Sequence, residues 1–487
     1  MQYGFLMDHR RCIGCHACTV ACKSENDVPV GDFRTWVKYT EKGVFPEIKR
    51  HFSVLRCNHC TDAPCVTICP VNALDKRVDG IVDLDRDACI GCRACMQACP
   101  YDALYLNEDS GSVEKCHFCA HRVEQDREPA CVVVCPTEAI VTGDLDDPTS
   151  RISRMVEEHD TLVRRPEQNT RPNVHYLGVE PSTLVPGSAE RPDTYIWSDK
   201  PDTKPEPWPE SLVTEPHTRT VLDAGHKVQW GWPVALYLLT KGVAAGAAML
   251  APFAAALGLT GFGADWMPEI VALVFTLITT ALLVEDLHRP KKFLTLLTRG
   301  NRKSWLVKGA YILIAFSITV PATLAAQYLG LDGAVTGLRW ISAALGLGVA
   351  GYTAFLFAQC EGRDLWQSKN LLPHLLVQAT MCGAAVLLPF SNGPLLILLV
   401  AGLAHVAFAV LDRYQRHDTD NAVQAAAFLG VVRVVGLPAW MTGLALIVFL
   451  LPPIAVFAPV AAWIPVFLGL FLYEWAFVRA AQLPPLS

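Results

Sequence analysis

Sixteen of the 18 cysteines lie between Cys12 and Cys135, in four groups of four. The groups are, in chain order, Cys12, Cys15, Cys18 and Cys22; Cys57, Cys60, Cys65 and Cys69; Cys89, Cys92, Cys95 and Cys99; and Cys116, Cys119, Cys131 and Cys135. In such a run three close thiolates bind one face of an iron–sulfur cubane, and the fourth binds the cluster of a partner motif. Sixteen thiolates therefore predict four [4Fe–4S] clusters, with these cysteines as the iron ligands.

Zinc and disulfides are the other common uses of so many cysteines. Structural zinc also takes four thiolates, but it favours two separated CxxC pairs over a run of three plus one. A disulfide framework is typical of secreted domains, and no charged n-region, apolar segment and cleavage site precede Cys12. The pair Arg10-Arg11 stands directly against the first motif, so we expect no twin-arginine export signal.

The elements that would position the cysteines are short. Strand-like runs stand at residues 80–83 and 103–106, and one helix is expected from about Ile152 to Glu158. The segment 181–229 is rich in proline and charge and cannot bury enough apolar surface to fold alone. We therefore predict an iron–sulfur domain over residues 1–180, followed by a proline-rich linker.

After residue 230 the chain is mostly apolar, and this half raises the hydrophobic content of the whole chain to 52%. Apolar runs of about 20 residues can cross about 30 Å of hydrocarbon as helices. Eight such runs lie near 232–257, 267–287, 305–329, 338–360, 371–390, 393–411, 431–451 and 454–478. The fifth and sixth runs are separated by Ser391-Asn392-Gly393, and the last two by Pro452-Pro453, so we expect two tight hairpins.

The predicted fold class is thus an α+β ferredoxin-like iron–sulfur domain, built of two paired dicluster ferredoxin units, followed by an all-α polytopic membrane domain at 230–487. Small residues such as Gly242, Gly246 and Gly346 predict close helix packing. Lysine and arginine collect in the loops after the second, fourth and sixth spans, which places those loops in the cytoplasm. We expect both termini and the cluster domain there, at the inner membrane. Alternatively, these basic loops dock the acidic cluster domain on either side of the membrane.

The first 180 residues resemble the four-cluster iron–sulfur subunits of molybdopterin oxidoreductases, the group that includes those of polysulfide, dimethyl sulfoxide and nitrate reductases. In that family the first motif pairs with the fourth and the second with the third. The resemblance implies four ligand sets: Cys12, Cys15, Cys18 and Cys135; Cys116, Cys119, Cys131 and Cys22; Cys57, Cys60, Cys65 and Cys99; and Cys89, Cys92, Cys95 and Cys69. It also implies that the Cys12 cluster lies nearest the catalytic partner and the Cys89 cluster nearest the membrane. Since Cys92 is present, we expect no three-iron cluster.

The stretch Leu282-Leu283-Val284-Glu285-Asp286-Leu287-His288-Arg289-Pro290 resembles the signature that closes the second helix of NrfD-type anchors, the family of the polysulfide reductase membrane subunit. Further matches are Trp232-Pro233 in the first span and Gly351-Tyr352-Thr353 in the fourth. The resemblance covers about 230–480. It implies a quinone, either menaquinone or ubiquinone, bound between the first helices on the cluster side, with Tyr352 near its headgroup.

Ionisable residues inside membrane spans are costly and are functional candidates by default. Those of the apolar half are Lys241, Glu285, Asp286, His374, His405 and Glu474. Asp286 and Arg289 either deliver protons near the quinone or simply pair with each other, and Tyr237 contributes to the quinone site or only packs. Lys241 and Glu285 either pair across helices or begin a proton path.

Two histidines on separate spans are what axial haem ligation needs. Helix directions place His374 near the cytoplasmic entrance of its span and His405 in the second half of the next. We therefore expect the histidines to lie apart and no haem to be bound, as the resemblance also implies.

The sequence shows no pterin-binding domain, nucleotide loop or nucleophile triad, so a separate molybdopterin subunit is expected to convert the substrate. We predict an electron-transfer and membrane-anchor subunit that passes electrons between that subunit and membrane quinone, without contact with nucleic acid. The alternatives are an equivalent subunit of a nickel–iron hydrogenase or of an alternative-complex-III-like quinol oxidoreductase, and a redox-driven ion-translocating module. The sequence leaves the substrate and the direction of electron flow open.

Overall fold

The computed structural model describes residues 1–190, 214–225 and 227–487. The described residues form two compact units. The first comprises Met1–Gln229, Cys360–Gly362 and Pro484–Ser487, and the second comprises Trp230–Gln359 and Arg363–Leu483.

The first unit is built from short strands and short helices. Its strands are β1 (Tyr3–Asp8), β2 (Thr35–Lys42), β3 (Lys49–Arg56), β4 (Leu74–Lys76), β5 (Val82–Leu84), β6 (Leu104–Asn107), β7 (Ser112–Lys115), β8 (Ile140–Asp144), β9 (Val174–Leu177) and β10 (Thr218–Leu222). Its helices are α1 (Ala17–Asn26), α2 (Pro64–Ile68), α3 (Ala94–Ala98), α4 (Ala120–Val123), α5 (Ala130–Val133) and α6 (Arg151–Glu158). The predicted α+β class is confirmed, and so are the predicted helix near residue 152 and both strand-like runs.

Two three-stranded sheets organise this unit. In one, β1 lies between β8, which runs antiparallel to it, and β9, which runs parallel. In the other, β2 pairs antiparallel with both β3 and β10. The core contains Phe5, Trp36, Val54, Phe118 and Tyr176, each of which is at most 2% exposed. Of the two remaining hairpins, β4–β5 lies between the second and third cysteine groups along the chain, and β6–β7 lies between the third and fourth.

Both described ends of the predicted linker contain regular structure. Residues Pro181–Leu184 form a 3₁₀ turn in which Thr183 is buried, and Thr183 accepts a 2.6 Å hydrogen bond from the Ser53 hydroxyl. At the other end, β10 is a full partner of β2. These ends belong to the first unit because they satisfy the backbone groups of a sheet edge. The middle of the predicted linker, residues 191–213, and His226 lie outside the described residues.

The second unit is helical. Its helices are α7 (Trp232–Leu250), α8 (Phe262–Asp265), α9 (Met267–Glu285), α10 (Thr295–Thr298), α11 (Trp305–Tyr328), α12 (Asp332–Ala358), α13 (Leu371–Leu387), α14 (Pro394–Tyr414), α15 (Asp420–Leu429), α16 (Ala439–Ala445), α17 (Leu451–Phe457) and α18 (Trp463–Ala480). Within the described residues, eight helical stretches are long and apolar enough to cross a membrane. This count confirms the prediction of a multi-pass membrane domain.

The seventh span corrects two expectations. It runs from Ala439 to Phe457 as α16, a π-helical turn at Leu446–Leu450, and α17. The predicted Pro452-Pro453 hairpin is wrong, because both prolines lie in the first turn of α17, where a missing N–H costs little. The chain turns only after Phe457. The span also starts later than expected, because Arg433–Val434 and Leu437–Pro438 form a small hairpin before it.

Close helix packing around α7 confirms the expectation drawn from small residues. A Cβ added to Gly246 would overlap the carbonyl oxygen of Ala379 in α13, and one added to Gly383 would overlap the backbone of Gly246. In the same way, a Cβ on Gly346 would lie 3.1 Å from the carbonyl oxygen of Ala245. The backbones of α7, α12 and α13 therefore approach each other at positions where only glycine fits.

Candidate functional site

Each cysteine group consists of a tight loop and a short helix. In the first group Cys18 and Cys22 lie on α1, and in the third Cys95 lies on α3. The residues before these two helices, His16 and Arg93, both have φ near 60°. The first and third loops thus share one backbone shape. Gly14, at φ 69°, is needed in the first loop because a Cβ there would lie 2.5 Å from the Phe52 ring.

The cysteines gather in four neighbourhoods that combine different groups. Burial raises the pKa of Cys22, and the negative charge of neighbouring Cys116, Cys131 and Cys119 raises it further. Burial likewise raises the pKa of Cys12, and the negative charge of nearby Cys135 raises it further. The structure thus brings the fourth cysteine of the first group to the fourth group, and the fourth cysteine of the fourth group to the first.

The second and third groups exchange their fourth cysteines in the same manner. Burial raises the pKa of Cys65, and the nearest charges acting on it are those of Cys99 and Cys57. Burial raises the pKa of Cys92 to about 12, with contributions from Cys69 and Cys89. All 18 cysteines are free thiols. Each of the four neighbourhoods therefore holds unbridged sulfur donors from two groups.

The neighbourhood of Cys22 surrounds a cavity. Its lining includes Cys22, Cys116, Cys119 and Cys131 together with Phe5, Asn26, Arg34 and Arg56. Asn26 Nδ2 lies 3.6 Å from the Cys22 sulfur, and Arg56 Nη1 donates a 3.2 Å hydrogen bond to the Cys131 sulfur. Arg56 is fully buried, with its guanidinium 4.3 Å from the centre of the Phe5 ring. A buried cation beside four thiols is the environment in which thiolates are stabilised.

Backbone amides also point at the sulfurs. The N–H groups of Ala73 and Ala139 donate to the sulfurs of Cys69 and Cys135, each at 3.2 Å. Among the described residues, no three His, Cys, Asp or Glu side chains could share a single metal ion. In a cubane each thiolate binds a different iron, so its ligands stand farther apart than those of one ion. The donor chemistry, the N–H groups and the cavity fit iron–sulfur clusters.

Lys241 is the central buried charge of the helical unit. It lies in the middle of α7, 2% exposed, and its Nζ donates to Thr353 Oγ1 and to the Ala350 carbonyl at 3.3 Å. The same Nζ lies 4.8 Å from the centre of the Tyr352 ring. Tyr352 is 6% exposed and packs so tightly against α11 that a Cβ on Gly309 would overlap its ring. The structure therefore brings together two of the predicted quinone and proton residues.

The other candidates from the second span lie at its end. Glu285 is the last residue of α9 and is exposed, and Asp286 caps the helix. Glu285 is not among the partners of Lys241 in the described residues, so of the two alternatives the pairing of these residues is wrong. The reason is depth, because Lys241 lies in mid-helix while Glu285 lies at a helix terminus. Tyr237 is buried on α7, one turn before Lys241.

His374 and His405 are in contact. His374 Nε2 lies 2.9 Å from His405 Nδ1, and both side chains are at most 1% exposed. The expectation that the two histidines lie apart is wrong, because α13 and α14 run in opposite directions. The first turn of one helix therefore lies level with the second half of the other.

Three further polar residues around this pair, and Thr353 beside Lys241, were not predicted. Tyr473 donates a 2.7 Å hydrogen bond to Asp412, whose Oδ2 also lies 3.3 Å from His374 Nδ1. Gln378 Nε2 lies 3.4 Å from His374 Nε2, and Thr353 contacts Lys241. Helical spacing carried a signal, since residues 374 and 378 are four apart and residues 405 and 412 are seven apart, which places each pair on one face.

Comparison with known families identifies two parts of the chain. Residues 48–145 match a family described as a 4Fe-4S dicluster domain. Residues 220–392 match the family described as polysulphide reductase, NrfD. The two matches fall on the cysteine-rich unit and on the helical unit.

Individual proteins resemble the cysteine-rich unit over most of their own length. The thiosulfate reductase electron transfer subunit PhsB of Salmonella typhi is 47% identical over 158 residues, which are 32% of this chain and 81% of PhsB. A tetrathionate reductase subunit of Salmonella typhimurium is 43% identical over 189 residues, or 38% of this chain and 76% of the relative. A polysulfide reductase chain of Wolinella succinogenes is 38% identical over 176 residues, or 36% of the present sequence and 92% of the relative.

Proposed function

Because this polypeptide belongs to the family of iron–sulfur electron-transfer subunits that includes those of thiosulfate and polysulfide reductases, and continues into an NrfD membrane domain, we propose that it carries electrons between a separate molybdopterin catalytic subunit and membrane quinone. One observation supports this most directly. A single chain joins four neighbourhoods of free cysteines to a multi-pass helical unit that contains buried Lys241 and Tyr352.

The proposed ligand sets follow the four neighbourhoods. Cys12, Cys15, Cys18 and Cys135 hold the first cluster, and Cys116, Cys119, Cys131 and Cys22 hold the second. Cys57, Cys60, Cys65 and Cys99 hold the third, and Cys89, Cys92, Cys95 and Cys69 the fourth. Bound there, four [4Fe–4S] clusters supply one-electron transfer. Burial and the N–H groups aimed at Cys69 and Cys135 limit the structural change that accompanies each transfer.

The proposed quinone site is formed around Tyr352. The hydroxyl of Tyr352 bonds a quinone carbonyl, and Lys241 behind its ring holds a positive charge where charge develops on the substrate. Asp286, Arg289 and Tyr237 complete the proposed site, with Glu285 at the end of α9 on a proton route. Burial of Lys241 in the middle of a membrane span makes it costly in a purely structural role, which supports a functional one.

The proposed location is the inner membrane, with the cluster unit and both termini in the cytoplasm. Basic residues in the loops after α9, α12 and α14 support this orientation. The proposal assigns conversion of the reductase's own substrate to a separate molybdopterin subunit, because the relatives are single subunits or chains of reductases.

The complex purified without oxygen tests the proposal. We expect about 16 iron and 16 acid-labile sulfide per chain, as four [4Fe–4S] sites require, together with molybdenum in a co-purifying larger subunit. Electrons from the catalytic substrate should reach a quinone analogue. Zinc in place of iron would refute the cluster assignment, and nickel in the larger subunit would favour a hydrogenase instead.

A further inference from the structure

A group of neighbouring buried polar side chains runs through the helical unit. It begins with Asp412, two residues before the end of α14, and continues through Tyr473, His374 and His405. Gln378 links His374 to Glu474, and Glu474 lies close enough to Lys241 for their charges to interact. Every member is at most 4% exposed. We call this set of seven residues the polar chain.

The titratable groups that belong to the polar chain or lie next to it come from five helices. They are Lys241 on α7, Tyr352 on α12, His374 and Cys382 on α13, and His405 and Asp412 on α14, with Tyr473 and Glu474 on α18. A bundle that needed only hydrogen bonds between helices could use hydroxyls and amides, which cost less to bury than ionisable groups. Six of the seven members of the polar chain instead carry ionisable side chains.

The histidine pair is suited to take up a proton. When His374 is neutral, its Nδ1 donates to Asp412 and its Nε2 accepts from His405 Nδ1. When His405 Nε2, which has no partner in the described part of the chain, takes up a proton, His405 Nδ1 passes its own proton to His374 Nε2 and becomes the acceptor of that bond. The carboxylate of Asp412, 3.3 Å from His374 Nδ1, offsets the new charge. The pair therefore accepts a proton by exchanging donor and acceptor roles.

The polar chain ends at the loop after α14 on one side and at Tyr352 on the other. At one end, the side chain of His417 bonds the Asp412 backbone and lies near the Asp412 and Asp418 carboxylates. His417 is half-buried in the loop after α14, and burial lowers its pKa, so it is mostly neutral and able to pass protons at neutral pH. At the other end, Lys241 lies against Tyr352. The polar chain thus connects a loop at the helix ends to the residues assigned to quinone.

We propose that the polar chain conducts the protons of the quinone reaction, from His417 and Asp412 through the His374–His405 pair to Glu474 and Lys241. The inference rests on the proposed quinone function. Reduction of a quinone to a quinol takes two electrons and two protons, and the polar chain delivers those protons from water on the side of the α14–α15 loop. Oxidation of quinol releases them by the same path.

Gln378 is the one member that holds no exchangeable acid proton. Its amide bridges His374 and Glu474, so transfer across it uses both amide faces or a water held between the same two groups. Substitutions at position 378 therefore distinguish proton conduction from a purely structural role. Gln378→Glu would insert an acid into the gap and keep the path open, whereas Gln378→Leu would interrupt it. A purely structural role predicts the opposite order, since a buried extra carboxylate destabilises more than leucine.

The test uses the whole complex in detergent and compares two activities. One is reduction or oxidation of a soluble quinone analogue, and the other is electron exchange with an artificial dye at the catalytic subunit. We expect Asp412→Asn and Gln378→Leu to slow quinone turnover by roughly tenfold or more, the usual scale of lost proton transfer. Dye activity should stay normal. The solvent deuterium isotope effect on quinone turnover should rise, and added imidazole should restore part of the Asp412→Asn rate.

Glu269→Gln is the matched control, because Glu269 is also a buried carboxylate of this unit but belongs to an ion pair with Arg339 at 2.7 Å. It should leave the isotope effect unchanged and show no rescue. Normal turnover and isotope effect in Asp412→Asn would overturn the inference, as would better activity in Gln378→Leu than in Gln378→Glu. No quinone turnover in the unaltered complex, despite dye activity, would instead refute the proposed function itself.

Discussion

Arg56 donates a hydrogen bond from Nη1 to the sulfur of Cys131 at 3.2 Å. Its Nε and Nη2 have no hydrogen-bond partner in the described part of the chain. Burial opposes the charge of Arg56, but the nearby thiols of Cys131, Cys116 and Cys18 raise its pKa, so the guanidinium stays protonated. A fixed positive charge therefore stands beside one proposed cluster site.

This relationship predicts the reduction potential of the cluster held by Cys22, Cys116, Cys119 and Cys131. A cation and a hydrogen bond at a ligand sulfur stabilise the reduced, more negative state. Arg56→Gln should lower the midpoint potential of that cluster by on the order of 60 mV, a tenfold change for one electron. Redox titration followed by electron paramagnetic resonance measures it. Arg56→Lys, which keeps the charge, should recover much of the shift, and equal potentials in all three proteins would contradict the prediction.

Tyr352→Phe tests the quinone site. The change removes a hydroxyl but keeps the ring that packs against Gly309, so the helices should still assemble. A lost hydrogen bond costs about 0.5 to 1.5 kcal/mol, so quinone turnover should fall several-fold. Exchange with a soluble dye at the catalytic subunit should be unaffected. Tyr328→Phe, at an exposed tyrosine of α11, is the control. If Tyr352→Phe turns over quinone normally, Asp286, Arg289 and Tyr237 become the residues to examine.

Gly246→Ala tests the closest helix contact. The new methyl would overlap the Ala379 carbonyl, so α7 and α13 must separate. Such overpacking typically costs about 1 to 3 kcal/mol, and thermal unfolding in detergent should occur at a lower temperature. Gly333→Ala in α12 is the matched control, because a Cβ there meets no atom within 4 Å. Equal unfolding temperatures for both variants would show that α7 and α13 are free to move apart.

The orientation is tested by reporter fusions. A fluorescent protein joined after Ser487 should be bright, and alkaline phosphatase joined there should be inactive, because the positive-inside rule places that end in the cytoplasm. Alkaline phosphatase inserted at Gly330, between α11 and α12, should be active. The reverse pattern would support the alternative in which the basic loops only dock the cluster unit.

The features that the sequence predicted well are those set by local spacing. Cysteines three apart, such as Cys12, Cys15 and Cys18, force a tight loop wherever they lie, and 20-residue apolar runs form spans for reasons of length alone. Features set by distant partners were missed. Thr218–Leu222 looked like linker because only its pairing with β2 makes it a strand. The Pro452-Pro453 hairpin failed because the preceding π-helical turn lets the helix continue through both prolines.

The contact between His374 and His405 was missed for a different reason. The positions of both residues along their spans could be read from the sequence. Because neighbouring antiparallel helices of similar length lie side by side, those positions come to a similar depth in the bundle. The proximity of Asp412 and Tyr473 needed the third helix, α18, whose rotation no single span encodes. The polar chain therefore could not be predicted from the sequence and is recognised only in the folded structure.

The pairing of β1 with both β8 and β9 constrains how the protein is made. Tyr3 pairs with Asp144 and Phe5 with Val174, so the central sheet cannot close until about 170 residues have left the ribosome. The cysteines from Cys57 to Cys99, with the hairpin β4–β5 between their two groups and β6–β7 after them, are complete long before that. The earliest cysteines, beginning with Cys12, must remain open to the solvent until Cys135 arrives. Iron loading should therefore proceed from the middle of this unit outward, and the nascent polypeptide must be guarded from oxygen for the whole interval.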